Sequence, residues 1–273
     1  MNSSISTEEC WDYVSEGLVM IKLDDLFPNM VVGDRSLNTW NYLRCEVPHL
    51  WYVDRRSPIM GFISRDEAAI LYNLALAVRS KPALEIGCWR GWSTAHIAAA
   101  GVALDVIDPI LMEDEINQEI NAILRAQRTD RVRLHGGYSP EAIFAAHKTR
   151  GEDWGLIFID GDHEGNAPSI DAANACLFAA DDAMILFHDL SSPSVAAGLG
   201  LLRERGWNTM VYQTMQIMGV AWRGNVTPVH HIPDPRVNWS LPAHLESYPV
   251  SGETLSERCK RLEQLAAHAI KHE

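Results

Sequence analysis

Leu156-Ile157-Phe158-Ile159-Asp160-Gly161-Asp162-His163 is the stretch whose reading decides the fold. Four successive apolar residues that break into a polar string predict a parallel strand covered on both faces, delivering its polar end to a sheet edge. Met184-Ile185-Leu186-Phe187-His188-Asp189 repeats the pattern. Upstream, strands are predicted over Ala83 to Gly87, about Ala103 to Asp108, and Val132 to His135. Helical patterns alternate with them. Ser64 and Glu67 form a capping box opening a helix to about Arg79, and a second helix starts near Ser93, whose hydroxyl suits an N-cap. Ile116, Ile120, Ile123 and Leu124 mark a third, and Ser139-Pro140 opens a fourth. Tyr212 and Ile217 to Trp222 supply two further strands, the last with an antiparallel option. Alternation of this kind predicts an α/β fold: a doubly wound, Rossmann-like, mostly parallel seven-stranded sheet with helices on both faces.

The rest of the chain fits around that core. The 273 residues suit one α/β domain with extensions. A chain of this length buries about 75% of its unfolded surface and needs no staples. Residues 1–62 read as an irregular cap that shapes the substrate site, 63–223 as the core, and 224–273 as a proline-rich loop and a final helix. With 23 basic and 36 acidic residues the net charge is −13. That argues against a nucleic-acid binder or an anionic-membrane partner and leaves a small molecule as the expected partner. Nothing approaches a membrane span, and the polar, acidic start reads as no signal peptide. Five scattered cysteines suit free thiols in a cytoplasmic setting.

Ligands of such sheets bind outside the carboxyl ends of the strands. Each predicted strand ends there in polar or glycine residues: Glu85 to Ser93, Asp108, Gly136 to Ser139, Asp160 to His163, and His188-Asp189. Gly87 and Gly91 frame a tight turn. Trp89 stands where a dinucleotide fold needs its middle glycine, so NAD and FAD are disfavoured and a nucleoside without phosphates is favoured. Asp108, about 20 residues on, is placed for ribose hydroxyls.

Leu84-Glu85-Ile86-Gly87-Cys88-Trp89-Arg90-Gly91-Trp92-Ser93 resembles motif I of class I S-adenosylmethionine (SAM) methyltransferases, in its catechol-O-methyltransferase-like version. Phe158 to His163 and Leu186 to Asp189 are similar to methyltransferase family 24, a group that includes sugar O-methyltransferases of natural-product pathways. The resemblance covers about residues 64–222. It implies SAM as cofactor, with Glu85, Gly87 and Ser93 on its methionine part, Asp108 on ribose, and Gly137 and Tyr138 bordering adenine. Trp89 and Gly91 belong to the same cofactor loop. Asp160 would serve both a metal and the neighbourhood of the methyl group. Gly165, in place of a frequent aromatic, and Ala179 to Asp182, in place of a Pro-Gly turn, depart from the family.

An acceptor hydroxyl is a poor nucleophile until it is deprotonated or metal-bound. Asp160 and Asp189, at the ends of two neighbouring strands, call for a cation, and oxygen ligands suit Mg²⁺. His163, on the turn after Asp160, is the expected general base; in related metal-dependent methyltransferases a lysine or histidine serves there. His188 has two readings: a third metal ligand, favouring Mn²⁺, Fe²⁺ or Zn²⁺, or a residue turned into the sheet. The reading is a metal-assisted O-methyltransferase acting on a small molecule. The alternatives are non-methylating chemistry at the metal site, such as hydroxylation, and a ligand-binding relative without catalysis. A serine hydrolase using Ser93 is disfavoured, because its elbow needs the serine directly after a strand.

Outside the core, Trp40, Tyr42, Trp51 and Tyr52 with Arg55 and Arg56 either pack the cap or clamp a substrate. His230-His231, in the proline-rich segment, reads as a solvated loop, with pocket lining or a lid as the alternatives. Leu255, Cys259, Leu262, Ala266 and Ile270 make one helical stripe, for core packing or a homodimer, and Glu253 and Lys271 complement that helix's dipole.

Overall fold

The computed structural model describes residues 7–272, without the side chains of Thr7, of Gln264 and of 267–272. The described residues form ten strands and seven α-helices. Strands β1 (Met30–Val32), β2 (Tyr52–Asp54) and β3 (Ser57–Phe62) make a small antiparallel sheet. These strands are too short to carry a clear strand signal in the sequence, and Pro58 is tolerated because β3 is an edge strand. Helix α1 (Arg65–Ala77) follows, opened by the expected Ser64–Glu67 capping box.

The large sheet alternates strand and helix: β4 (Ala83–Ile86), α2 (Trp92–Ala99), β5 (Leu104–Asp108), α3 (Asp114–Ala126), β6 (Val132–Gly136), α4 (Glu141–Arg150), β7 (Trp154–Ile159), α5 (Ala167–Leu177), β8 (Ala179–Phe187) and α6 (Pro193–Glu204). β9 (Asn208–Tyr212), β10 (Met218–Arg223) and α7 (Leu255–His272) complete the elements. The sheet order is β6-β5-β4-β7-β8-β10-β9, with β10 antiparallel to both neighbours and the other pairs parallel. Strand order reverses at β4, which pairs with β5 on one side and β7 on the other, and the crevice outside that point is where such sheets bind ligands.

Two apolar layers cover the sheet. Leu71, Ile97, Leu104, Phe158 and Leu186 belong to one, and Leu84, Ile157, Ile185, Phe187 and Leu199 to the other, all wholly buried. Neighbouring residues of β7 and β8 thus point to opposite faces and are buried on both, as their continuous apolar runs require. Ala179 to Asp182 is the first half of β8 rather than a turn, with Arg223 donating to the carbonyls of Ala179 and Ala180.

The chain ends are knitted to each other. Asp234, fully buried, accepts from Trp11 Nε1, His49 Nε2 and Arg236. His231 is also fully buried, its Nε2 2.7 Å from Asp66 of α1, so it is a structural tie and not a solvated loop. His230 is exposed. On α7, Leu255 (81% exposed), Cys259 and Leu262 face solvent; Ile270 and Lys271 lie outside the described side chains. No described helix is long and apolar enough to cross a membrane, and no described cysteine is in a disulfide.

Candidate active site

The turn after β4 is held open by backbone geometry. Gly87 and Gly91 adopt φ of +88° and +85°, and Trp89 itself has φ +46°. A Cβ on Gly87 would stand 2.0 Å from the carbonyl oxygen of Asp160, so two strand ends touch through this glycine. Gly87→Ala is therefore expected to cost more than about 3 kcal/mol or to force the two loops apart. Chemical denaturation compared with Gly101→Ala checks this: Gly101 has φ +76° but open space, so only backbone strain is expected there.

Helix α2 begins two residues earlier than an N-cap at Ser93 suggests. Gly91 is its N-cap, and Ser93, expected there, lies in the first turn with its hydroxyl toward Glu85. The left-handed glycine makes the turn that the serine would otherwise make. This orientation removes Ser93 from hydrolase chemistry. Glu85 is wholly buried; its Oε2 accepts from Thr94 Oγ1, and its Oε1 has no hydrogen-bond partner. Burial, together with the charges of Asp160 and Asp108, pushes its carboxyl up to about 8, against hydrogen bonds from Ser93 and Thr94. A lone buried oxygen of this kind suits a cationic ligand group. Trp89 Nε1 is likewise buried without a partner.

Asp108 accepts from the backbone N–H groups of Cys88 and Trp89 through Oδ2, and from Ile110 through Oδ1. It therefore fixes the glycine turn, a task the sequence reading did not assign to it. Gly137 and Tyr138 follow β6, and the Tyr138 ring is 68% exposed. Gly87, Trp89, Trp92, Ser93 and Asp160 border one narrow cleft of about 40 Å³, with Gly61 and Phe62 of the cap sheet as its other wall.

Asp160 also borders a second cluster. His163 Nε2 lies 3.3 Å from Asp160 Oδ1 and 3.4 Å from Asp189 Oδ2. His188 Nδ1 lies 3.2 and 3.3 Å from the same two oxygens, and its Nε2 is 3.3 Å from Glu67 Oε2. Asp160, His163 and Asp189 each offer a ligand atom within 4.8 Å of the others, the spacing of a cation site. His188 is buried among three carboxylates and does not turn into the sheet. Burial lowers the pKa of both histidines, but the carboxylates outweigh it, raising His163 above its ordinary value and His188 well above it. In the same balance Asp160 is held down to about 2.

Two residues of this site, Glu67 and Gln216, carry no signal in the sequence that places them here, and Trp40, a candidate substrate clamp, joins them. Glu67, wholly buried, accepts from Ser64 N and Gln216 N besides facing His188. Gln216 Nε2 donates to Asp189 Oδ1 at 2.6 Å. Trp40 Nε1 also donates to Asp189 Oδ1, and its ring centroid is 5.1 Å from that of His163. Trp51 and Tyr52 pack the cap instead, Trp51 against Gly33 and Gly61. Arg55 bonds Asn29, and Arg56 pairs with Asp54 and Glu119, so neither is free to clamp a substrate. Gly165 is a left-handed turn residue with open space around it.

Residues 84–190 match the family described as "Methyltransferase domain". No curated protein matches the chain. Among solved structures, the chain is similar to TomG, an O-methyltransferase of Streptomyces achromogenes involved in tomaymycin synthesis and crystallised with SAM. The identity is 16%, over 60% of this chain and 82% of that one, with a TM-score of 0.50. It is also similar to an O-methyltransferase from Bacillus cereus in complex with SAH, at 14% identity over 59% and 83% of the two chains, TM-score 0.49. The sheet order, the glycine turn and the family match converge on residues 84–190, which form a methyltransferase domain of family 24, within the class I SAM-dependent methyltransferases.

Proposed function

We propose that this protein transfers a methyl group from SAM to a hydroxyl of a small molecule, assisted by a divalent cation at Asp160 and Asp189. The observation that carries the reading is the shared wall. Asp160 lines the cleft beside the glycine turn and also belongs to the Asp160–His163–Asp189 cluster, so cofactor loop and proton-handling groups meet at one residue.

SAM supplies a methyl already activated on a sulfonium. Glu85 Oε1 is suited to its ammonium, the Gly87 turn gives close backbone approach, and Asp108 has lone pairs left for ribose beyond those used by the loop. A divalent cation would lower the pKa of an acceptor hydroxyl. His163 Nε2, facing the space between the carboxylates, takes the proton that the hydroxyl gives up. Its side chain is 24% exposed against 7% for His188, so His163 is the histidine an acceptor can reach. A groove bordered by Tyr42, Arg44, Glu46, Ser191 and Ser240 supports a small polar acceptor.

Calorimetric titration of SAM into chelator-treated protein tests this, with micromolar binding expected. Absence of binding, with or without added Mg²⁺ or Mn²⁺, would overturn the reading. Two histidines beside two carboxylates also favour a second reading, metal-centred oxygenation. Product mass separates an added methyl from an added oxygen.

A further inference from the structure

A pocket of about 450 Å³ lies beneath α7, bordered also by the proline-rich segment. Small molecules commonly occupy pockets of about 300–1,000 Å³. The wall is apolar at Pro233, Trp239, Leu241 and Val250, and acidic at Glu246 and Glu257. Arg261, the cation on its described border, is fully engaged. Its Nε and Nη2 pair with Glu253, and Nη1 and Nη2 donate to the carbonyls of Glu246 and Tyr248. Among the described residues no Lys or Arg forms an ion pair with Glu246 or Glu257, so the pocket keeps an unbalanced negative charge. Gln213, 6% exposed, gives its Oε1 to Arg44 and leaves Nε2 without a hydrogen bond among the described residues. A buried amide donor on a pocket wall suits a ligand oxygen.

This pocket adjoins the groove that leads to the candidate active site. Ser240 and Leu241 border both. Arg44 stands between them: it lines the groove, and its guanidinium donates to Gln213 Oε1 and the Ser240 carbonyl of the pocket. At the groove's other end Ser191, two positions after Asp189, is buried with a hydroxyl that has no partner. Tyr42 meets Trp40 edge-on at 5.0 Å, and Trp40 in turn touches Asp189 and His163. We propose that the acceptor is an elongated amphipathic amine: its hydroxyl lies at His163, its middle runs past Tyr42 and Ser191, and its apolar, cationic end fills the pocket beneath α7. Trp239 and Leu241 match the apolar part, and the Glu246 carboxylate matches the ammonium. This rests on the methyl-transfer reading and adds a substrate class to it.

The test is a fluorescence titration of the full-length protein with dansylcadaverine, an aromatic ring carrying an alkylamine, and with dansylglycine, the same ring carrying a carboxylate. The amine should bind and the carboxylate should bind at least roughly 10-fold more weakly. Glu246→Gln, at a side chain that makes no hydrogen bond among the described residues, should weaken the amine about 10-fold, the worth of one charged hydrogen bond. Glu152→Gln removes the same charge from the exposed loop before β7 and should change nothing. Phenol-ended alkylamines of increasing chain length, used to displace the dye, test the link to the active site. Tyr42→Ala should weaken the long ones and leave dansylcadaverine unaffected. The proposal is overturned by no amine binding, by equal binding of the two dyes, by an equal effect of Glu246→Gln and Glu152→Gln, or by long phenol amines indifferent to Tyr42→Ala. SAM titration of the same samples keeps the two readings apart. Intact SAM binding without amine selectivity removes this inference alone. Absent SAM binding removes methyl transfer, while the dye titrations still decide what the pocket takes.

Discussion

Replacing His163 by glutamine is expected to lower methyl transfer by about 10²–10⁴-fold, the range for loss of a general base. The residue lies between Asp160 and Asp189 and is the more exposed of the two histidines there, so it can reach an incoming hydroxyl. Glutamine keeps much of the bulk against Trp40 but has no titratable nitrogen. SAM affinity should change little, because no contact of His163 reaches Glu85 or the glycine turn. Labelled-methyl transfer to a panel of hydroxylated acceptors, with SAM binding measured in parallel, separates the steps. Retained turnover would remove His163 from the base role.

Glu85→Gln should produce two opposite effects. Unfolded, this carboxyl loses its proton near 4.5; folded, it keeps it to about 8. Between those values the folded chain holds the extra proton, so stability falls as pH rises through the window. The amide has no charge to bury. At pH 7 the cofactor-free variant is therefore expected to be more stable by about 3 kcal/mol. Acidic groups with depressed values, such as Glu67 and Asp160, act at the acid end in both proteins, so the difference between variant and parent isolates Glu85. The variant should also bind SAM roughly 30-fold more weakly, the worth of about 2 kcal/mol for a hydrogen bond to a charged group. Denaturant melts from pH 5 to 9 measure the first effect and calorimetry the second. A variant with the parent's pH slope would show that Glu85 is not the buried acid responsible.

The strands of the core were legible because each carries its signal locally. An apolar run such as Leu156 to Ile159 must be a covered strand, and whatever follows it must lie at the rim. That logic reached Glu85, Gly87, Asp160, His163, His188 and Asp189 together. It could not reach Glu67, whose place in a capping box already explained it, so nothing pointed to a second partner 121 residues away. Nor could it find the partner of His231, since Asp66 lies 165 positions earlier. Trp40 and Gln216 meet at Asp189 from opposite ends of the chain, and no spacing encodes that meeting. Ser93 shows the reverse failure: a good capping residue lost its place to a glycine whose left-handed turn was also visible in the sequence.

The union of the chain's two ends has a consequence for biosynthesis. Trp11 and His49 close on Asp234, and Asp66 on His231, so residues of the first quarter of the sequence wait for partners more than 160 positions later. Contacts of such separation form late, because loop-closure entropy precedes any gain from them. On the ribosome the sheet can assemble as it emerges, whereas the roof over the aspartates must wait until residue 234 has been made. A nascent chain would thus hold its glycine turn before it could complete the surroundings of Asp160 and Asp189, and a truncation before residue 231 should leave a folded sheet with a loosened cap.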